Sequence, residues 1–159
     1  MYERILVPLD GSKISESALP YVKDLFSKMS KEVIMEVTLL HVIPPSHLTF
    51  PLDEESYDIY FNKQDYKMIK EKFIKYLNAT AEMLRSEGII VNVRVEFGDI
   101  SLLITNIAEE INASMIAMST HGQTGIDRWT IGSFTYKLLQ LAITIPIMLV
   151  RPPKDNLKQ

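Results

Sequence analysis

Met118-Ser119-Thr120-His121-Gly122, with nine residues intervening before Gly132-Ser133, follows the apolar run Met115 to Met118 and precedes a helical pattern carrying Phe134, Leu138, Leu139 and Ala142. A glycine-bearing turn that leaves a strand brings backbone N–H groups close to a ligand. The first turn of the next helix adds N–H groups that lack intrahelical acceptors, together with a partial positive charge. Strand, glycine loop and helix in this order are the parts of a phosphate or nucleotide site.

Toward the N-terminus the same alternation recurs. Ile5-Leu6-Val7 is a continuous apolar run closed by Pro8, as expected of a central parallel strand covered on both faces. Asp10-Gly11-Ser12 reads as a turn. Ala18, Tyr21, Val22, Leu25, Phe26 and Met29 then recur at helical spacing, with Ser12 or Ser15 as the expected N-cap. Pro20 either lies in the first turn of a helix that starts late or kinks one that starts at Ser12. Val37 to Val42 is a second strand, ended by Pro44-Pro45. Its His41 is read as a buried, hydrogen-bonded histidine and not as a ligand.

From about Ser46 to Gln64, acidic residues mix with Phe50, Tyr57, Tyr60 and Phe61 without a clean period, which predicts a mobile excursion that recognises a partner or covers the sheet edge, cover being preferred. Tyr66, Ile69, Phe73, Leu77, Thr80 and Leu84 predict a long helix with Gly88 at its C-terminal cap. Val91, Val93, Val95 and Phe97 alternate with Asn92, Arg94 and Glu96, the pattern of an edge strand. Gly98-Asp99 leads into a helix carrying Leu103, Ile104, Ile107, Ala108 and Ile111. Met29, Met68 and Met83 are read as core or edge packing. After the last helix, Pro146 introduces the strand Ile147 to Val150. The whole predicts an α/β fold, a parallel sheet wrapped by helices on both faces. Ligands of such sheets bind beyond the carboxyl ends of the strands, where the strand order reverses. Asp10, Val42 and Ser119 all lie at such ends.

Composition narrows the function. The chain has 159 residues, 47% hydrophobic and 23% charged, enough for one domain with its own core. A net charge of -3 argues against a nucleic-acid backbone or an anionic membrane as partner. With no cysteine there is neither a disulfide nor a thiolate metal site, and three histidines leave no zinc site, so no metal ligands are assigned. No apolar run reaches membrane-spanning length and the N-terminus shows no signal-peptide pattern, so a cytoplasmic location is expected. Residues 1–152 are read as the nucleotide-binding domain and 153–159 as a short tail.

Four ordered segments resemble the universal stress protein family over nearly the whole length. They are Arg4-Ile5-Leu6-Val7-Pro8-Leu9-Asp10-Gly11-Ser12, Leu39-Leu40-His41-Val42, the loop from Met118 to Ser133, and Pro146-Ile147-Met148-Leu149-Val150-Arg151. The resemblance implies a single-domain three-layer sandwich of the adenine nucleotide α-hydrolase type, with a five-stranded parallel sheet in the order 3-2-1-4-5. It also implies ATP as the ligand, with or without Mg²⁺. In the family's loop the first motif position is glycine, and here it is Ser119, while Gly122, Gly132 and Ser133 stay in register.

By the same resemblance Pro8 and Leu9 border the adenine. Asp10 accepts from the ribose hydroxyls or helps hold a phosphate-bound Mg²⁺, and as a plain turn former it would cap the helix instead. Val42 reads the base edge, although the sequence alone favours ordinary core. Met118, Ser119, Thr120 and His121 form the loop's entry, with His121 shaping the loop or neighbouring phosphate; no nucleophile with an orienting carboxylate accompanies it. Gly122 and Gly132 let the backbone curl around a triphosphate, Gly125 lets the spacer close, and Ser133 caps the last helix and offers its hydroxyl to the terminal phosphate. Gln123, Phe134 and Thr135 contribute backbone N–H groups and, for Thr135, a hydroxyl. Arg128 is a candidate phosphate clamp, and Trp129 a packing residue.

The resemblance further implies a homodimer through strand 147–151, whose unpaired apolar edge would otherwise invite another chain. The expected function is an ATP-binding regulatory or stress-response module with slow or no turnover. Weak hydrolysis or autophosphorylation stays open, since no base, positioned water and charge clamp are evident together. A nucleotide-free dimeric adaptor and an adenylating enzyme of the same architecture are the alternatives.

Overall fold

The computed structural model describes residues 1–44, 47–52, 55–60, 63–120, 133–141 and 144–153, with 47–52, 55–60, 63–64 and 133–134 in backbone only. Its main sheet is made of β1 (Tyr2–Pro8), β2 (Ile34–Ile43), β5 (Ile90–Phe97), β6 (Met115–Ser119) and β7 (Ile147–Val150). The order is β5-β2-β1-β6-β7 and every adjacent pair is parallel, which in sheet-strand order is 3-2-1-4-5. Helices α1 (Leu19–Ser27) and α2 (Lys63–Arg85) cover one face, and α3 (Ile100–Glu110) and α4 (Ser133–Gln140) the other. Because β1 and β2 are buried on both faces, they feed alternate residues into two cores. Ile5, Val7, Leu39 and Ile43 pack under α1 and α2, and Leu6, Leu40 and Val42 under α3 and α4.

Helix ends follow from local chemistry. Gly88 sits at φ +86°, its N–H donates to Arg85 O at 3.0 Å, and Ile89 N–H reaches back to Leu84 O at 3.3 Å. This paired closure satisfies the last carbonyls of α2. Asn112, at φ 51°, ends α3 in the same way, with Ala113 N–H on Ala108 O at 2.8 Å. Asp99 caps α3 by accepting from the Leu102 N–H at 2.9 Å.

Three expectations change, and Pro20 follows the first of its two alternatives. The segment after β2 is an antiparallel hairpin, β3 (His47–Leu52) with β4 (Glu55–Tyr60), forming a second sheet of its own. Leu48 lies opposite Ile59 and Phe50 opposite Tyr57, so its apolar residues do alternate with period two, but each half spans only six residues. Pro20 falls in the first turn of an α1 that starts late, after a 3₁₀ turn at Ser15–Ala18, and no side chain caps α1. Ser12 and Ser15 are used in the preceding loop instead. Met68 and Met83 are exposed, because each stands one position off the inward-facing stripe of half-buried Ile69 and Phe73 and buried Leu77 and Leu84. Among the described residues no helix is long and apolar enough to cross a membrane.

Candidate functional site

The strand order reverses between β1 and β6, and the two strands part there. Their register pairs only Ile5 with Met115 and Leu6 with Ile116, although β1 continues to Pro8 and β6 to Ser119. Leu9 N–H donates to Leu40 O at 2.8 Å and so faces β2. Backbone groups alternate sides along a strand, which turns the N-side of Pro8 toward β6. Proline has no N–H to offer. The ladder thus loses its next donor at the point where a crevice between the two carboxyl ends is needed.

Beyond Pro8 the chain turns on a serine and carboxylate network. Asp10 Oδ1 accepts from Ser12 N–H at 2.8 Å and from Ser12 Oγ at 2.5 Å. Ser12 Oγ accepts from Ser15 N–H at 3.1 Å, and Ser15 Oγ donates to Ser12 O at 2.8 Å. Gly11 holds φ +89°, a left-handed value that costs L side chains free energy, and a Cβ added there would stand 3.3 Å from Phe73 Cε1. The turn-forming reading of Asp10 is therefore seen directly, and its carboxylate is fixed at the mouth of β1. Asp10 caps this loop and not α1.

The remaining candidates divide by face. Pro8, half-buried, projects on the Leu6 side of β1, and Val42 and Met118 belong to the core on that same side, under α3 and α4. Leu9 packs on the other face, in the α1 and α2 core, so its side chain cannot line a surface together with that of Pro8. Ser119 is buried, and Thr120 N–H donates to Val150 O at 2.9 Å, tying the strand end to β7. Thr135 is buried on α4 with its hydroxyl 3.5 Å from Thr120 O, a long contact joining the helix to the end of β6. Ser133 is the first residue of α4, one position inside the expected cap, so its N–H is among those without an intrahelical acceptor. Phe134 follows it in the same turn. His121, Gly122, Gln123, Gly125, Arg128, Trp129 and Gly132 lie outside the described residues.

Two features at the site are not visible in the sequence pattern. His41 donates from Nδ1 to Leu9 O at 2.7 Å and stacks on Phe73, ring centroids 3.4 Å apart and planes at 11°. Burial pushes its pKa below the ordinary value, against the raising effects of the Leu9 hydrogen bond and the Asp10 charge. Tyr76 of α2 donates to Glu16 Oε1 at 2.9 Å, anchoring the 3₁₀ turn from the same side, and burial followed by Glu16 raises its pKa. The sequence reading of His41 as buried and hydrogen-bonded agrees with the first contact, but neither its acceptor nor its stacking partner was visible. Among the described residues no group of three or more His, Asp or Glu is placed to hold a metal ion.

This fold has counterparts. A family model described as the universal stress protein family matches residues 1–151. Universal stress protein MJ0531 of Methanocaldococcus jannaschii is 26% identical over 156 residues, covering 98% of this chain and 86% of that one. The solved structure of MJ0577 from the same organism superposes with a TM-score of 0.73 at 24% identity, covering 97% of this chain and 99% of the other. A universal stress protein family member from Arabidopsis thaliana, solved with AMP bound, superposes with a TM-score of 0.59 at 16% identity, covering 96% and 94%. With the family model spanning both strand ends, the loop between them and the closing strand, the chain belongs to the universal stress protein family.

Proposed function

We propose that the chain binds an adenine nucleotide, ATP in the first instance, in the crevice where β1 and β6 part, and acts as a nucleotide-dependent regulatory module with slow or no turnover. The observation that carries this reading is the early end of the β1–β6 ladder at Leu6 and Ile116, set at the strand-order reversal and flanked by Asp10 on one lip and Ser119 on the other. The described residues suit such a ligand. Pro8 and Val42 share an apolar face of the kind an adenine ring packs on, and the fixed Asp10 carboxylate matches ribose hydroxyls. The N–H groups at the start of α4, with the loop from His121 to Gly132, would take the phosphates, with or without Mg²⁺. The AMP-bound Arabidopsis relative supports the ligand class.

Nucleotide would be read out through partners and through a homodimer built on the outer edge of β7, the strand at the end of the main sheet. A cytoplasmic setting fits this reading. Purification without added nucleotide, followed by denaturation and assay of the supernatant for ATP, ADP and AMP, tests the ligand; calorimetry with ATP, with and without Mg²⁺, measures its affinity. A protein that releases none and takes up none at millimolar ATP is not a nucleotide binder. A nucleotide-free adaptor is the second reading, favoured by the close packing of Leu9, Val42, Met118 and Ser119 and by serine at the first motif glycine. Sedimentation that shows only monomer at micromolar concentration would remove the dimer from either reading.

A further inference from the structure

Leu9 and Asp10 share a peptide unit that is held at both ends. Its carbonyl oxygen accepts from His41 Nδ1–H at 2.7 Å, and its N–H donates to Ser15 Oγ at 3.3 Å. A carbonyl has no proton to give, so the His41 contact fixes the ring as the Nδ1–H form. The plane of that peptide sets where the chain leaves β1, and hence where the Asp10 carboxylate stands. His41 itself cannot drift, because it is buried and lies flat on Phe73, whose Cε1 would stand 3.3 Å from a Cβ added at Gly11. The next residue of β2 is Val42, on the opposite face. One strand therefore carries the wall proposed for the base and the clamp on the loop proposed for the ribose.

We infer that His41 is a positioning residue for the nucleotide, acting through the Leu9–Asp10 peptide from the side of the sheet away from Val42. This rests on the nucleotide-binding reading above. Two roles of the ring are separable: the stack on Phe73 contributes stability, and the Nδ1–H donor aligns the loop. His41→Phe keeps an aromatic ring on Phe73 and removes the donor. His41→Asn keeps a donor near the place of Nδ1 and removes the stack.

The test is ATP calorimetry and thermal unfolding on the wild type and both variants, with ¹⁵N NMR of the wild-type imidazole. The expected result is a crossing of the two readouts. H41F stays near wild-type stability and binds ATP about tenfold more weakly, the weight of one ordinary hydrogen bond. H41N melts at a lower temperature yet binds ATP within about threefold of wild type. A purely structural histidine would move affinity and stability together, and that result overturns the inference, as does H41F that binds like wild type. The NMR arm needs no variant: a wild-type imidazole carrying its proton on Nε2 alone also overturns it. Wild-type protein that takes up no ATP sinks the nucleotide reading as well, whereas ATP binding that H41F retains sinks this inference only.

Discussion

Against β2, strand β1 keeps seven residues in register, from Tyr2 opposite Ile34 to Pro8 opposite Leu40, whereas against β6 it keeps two, Ile5 and Leu6. Both junctions are parallel, and both are central in the same sheet. Tyr2, Glu3 and Arg4 lack β6 pairs because β6 starts only at Met115, opposite Ile5. At the carboxyl end, Val7 and Pro8 are separated from β6 by a missing donor and the direction in which the chain continues. On the β2 side, Leu9 carries the hydrogen bonding past the proline. On the β6 side the ladder among the described residues stops at Leu6 and Ile116. The long junction runs to the end of β1, and the short one stops where the nucleotide crevice is proposed.

This contrast predicts that damage on the two sides will have different signatures. Leu39 is fully buried in β2, inside the α1 and α2 core. Leu39→Ala removes buried methyl groups and leaves a cavity, so unfolding free energy should fall by about 2–5 kcal/mol. The affinity of the remaining folded protein for ATP should be unchanged. Urea unfolding followed by calorimetry on the same sample checks this, and a parallel loss of affinity would mean that the two junctions are not separable.

Pro8→Val tests the other side. Valine returns an N–H pointing toward β6, and its β-branched side chain suits a strand. The ladder should then extend toward Ser119, ATP affinity should drop about tenfold, and stability should change by less than about 1 kcal/mol. Slower hydrogen exchange at residue 8 would report the new bond. Unchanged ATP affinity with that amide protected would show that the crevice does not depend on the proline.

Gly11→Ala perturbs the loop that leaves the short junction. The left-handed backbone at φ +89° disfavours a Cβ by roughly 1–2 kcal/mol, and the added atom would press on Phe73 at 3.3 Å. A midpoint shift in denaturant of that size is expected, with weaker ATP binding, because Phe73 backs His41. Wild-type stability in the alanine variant would show that the turn relaxes without cost.

How much of this could be read beforehand differs by region for the same physical reason. The strands and helix stops of the main sheet were legible because their signals are local: unbroken apolar runs at Ile5 to Val7 and Leu39 to Val42, and a left-handed glycine at Gly88. His41 was legible as a buried, bonded histidine, but its acceptor, Leu9 O, is 32 residues away. The hairpin was missed because Leu48 and Phe50 acquire meaning only once Ile59 and Tyr57 stand opposite them. Among the candidate residues, sequence placed Pro8, Asp10, Val42 and Met118 at or just past strand ends, where the structure also has them. It did not divide them by face, and so Leu9 was grouped with Pro8. Nor did it reveal that Pro8 turns its donor-less side toward β6, which depends on where Leu9 N–H points.

Acid should weaken the long junction from its upper end. Burial, outweighing the Leu9 hydrogen bond and the Asp10 charge, holds His41 below its ordinary value of 6.5, so the unfolded chain takes a proton before the native one does. Stability from this residue is complete above about 6.5 and is lost as pH falls through the lower folded value. Asp99 and Glu110, depressed by the Leu102 N–H and by Arg94 respectively, add their own losses only at lower pH, in and below the carboxylate range. Urea unfolding of wild type and H41F between pH 5 and 8 isolates the histidine: the wild type should slope and the variant should be flat. Equal slopes would assign the pH dependence elsewhere.

The smallest expected effect lies in the 3₁₀ turn, which packs against β6 and β7. Ser17 Oγ is buried there with no hydrogen-bond partner among the described residues, while Ser12 and Ser15 nearby are bonded through both donor and acceptor. A buried hydroxyl left unsatisfied costs free energy that alanine does not incur, and the two side chains differ by one atom. Ser17→Ala should therefore hold stability constant or raise it by up to about 1 kcal/mol. The same substitution at Ser15 should lower stability, since it strips the Asp10 N–H of its acceptor and the Ser12 carbonyl of its donor. Thermal melts of the two variants side by side decide the matter. If Ser17→Ala destabilises as much as Ser15→Ala, that hydroxyl has a partner in solution, and the β6 side of the sheet is as fully satisfied as the β2 side.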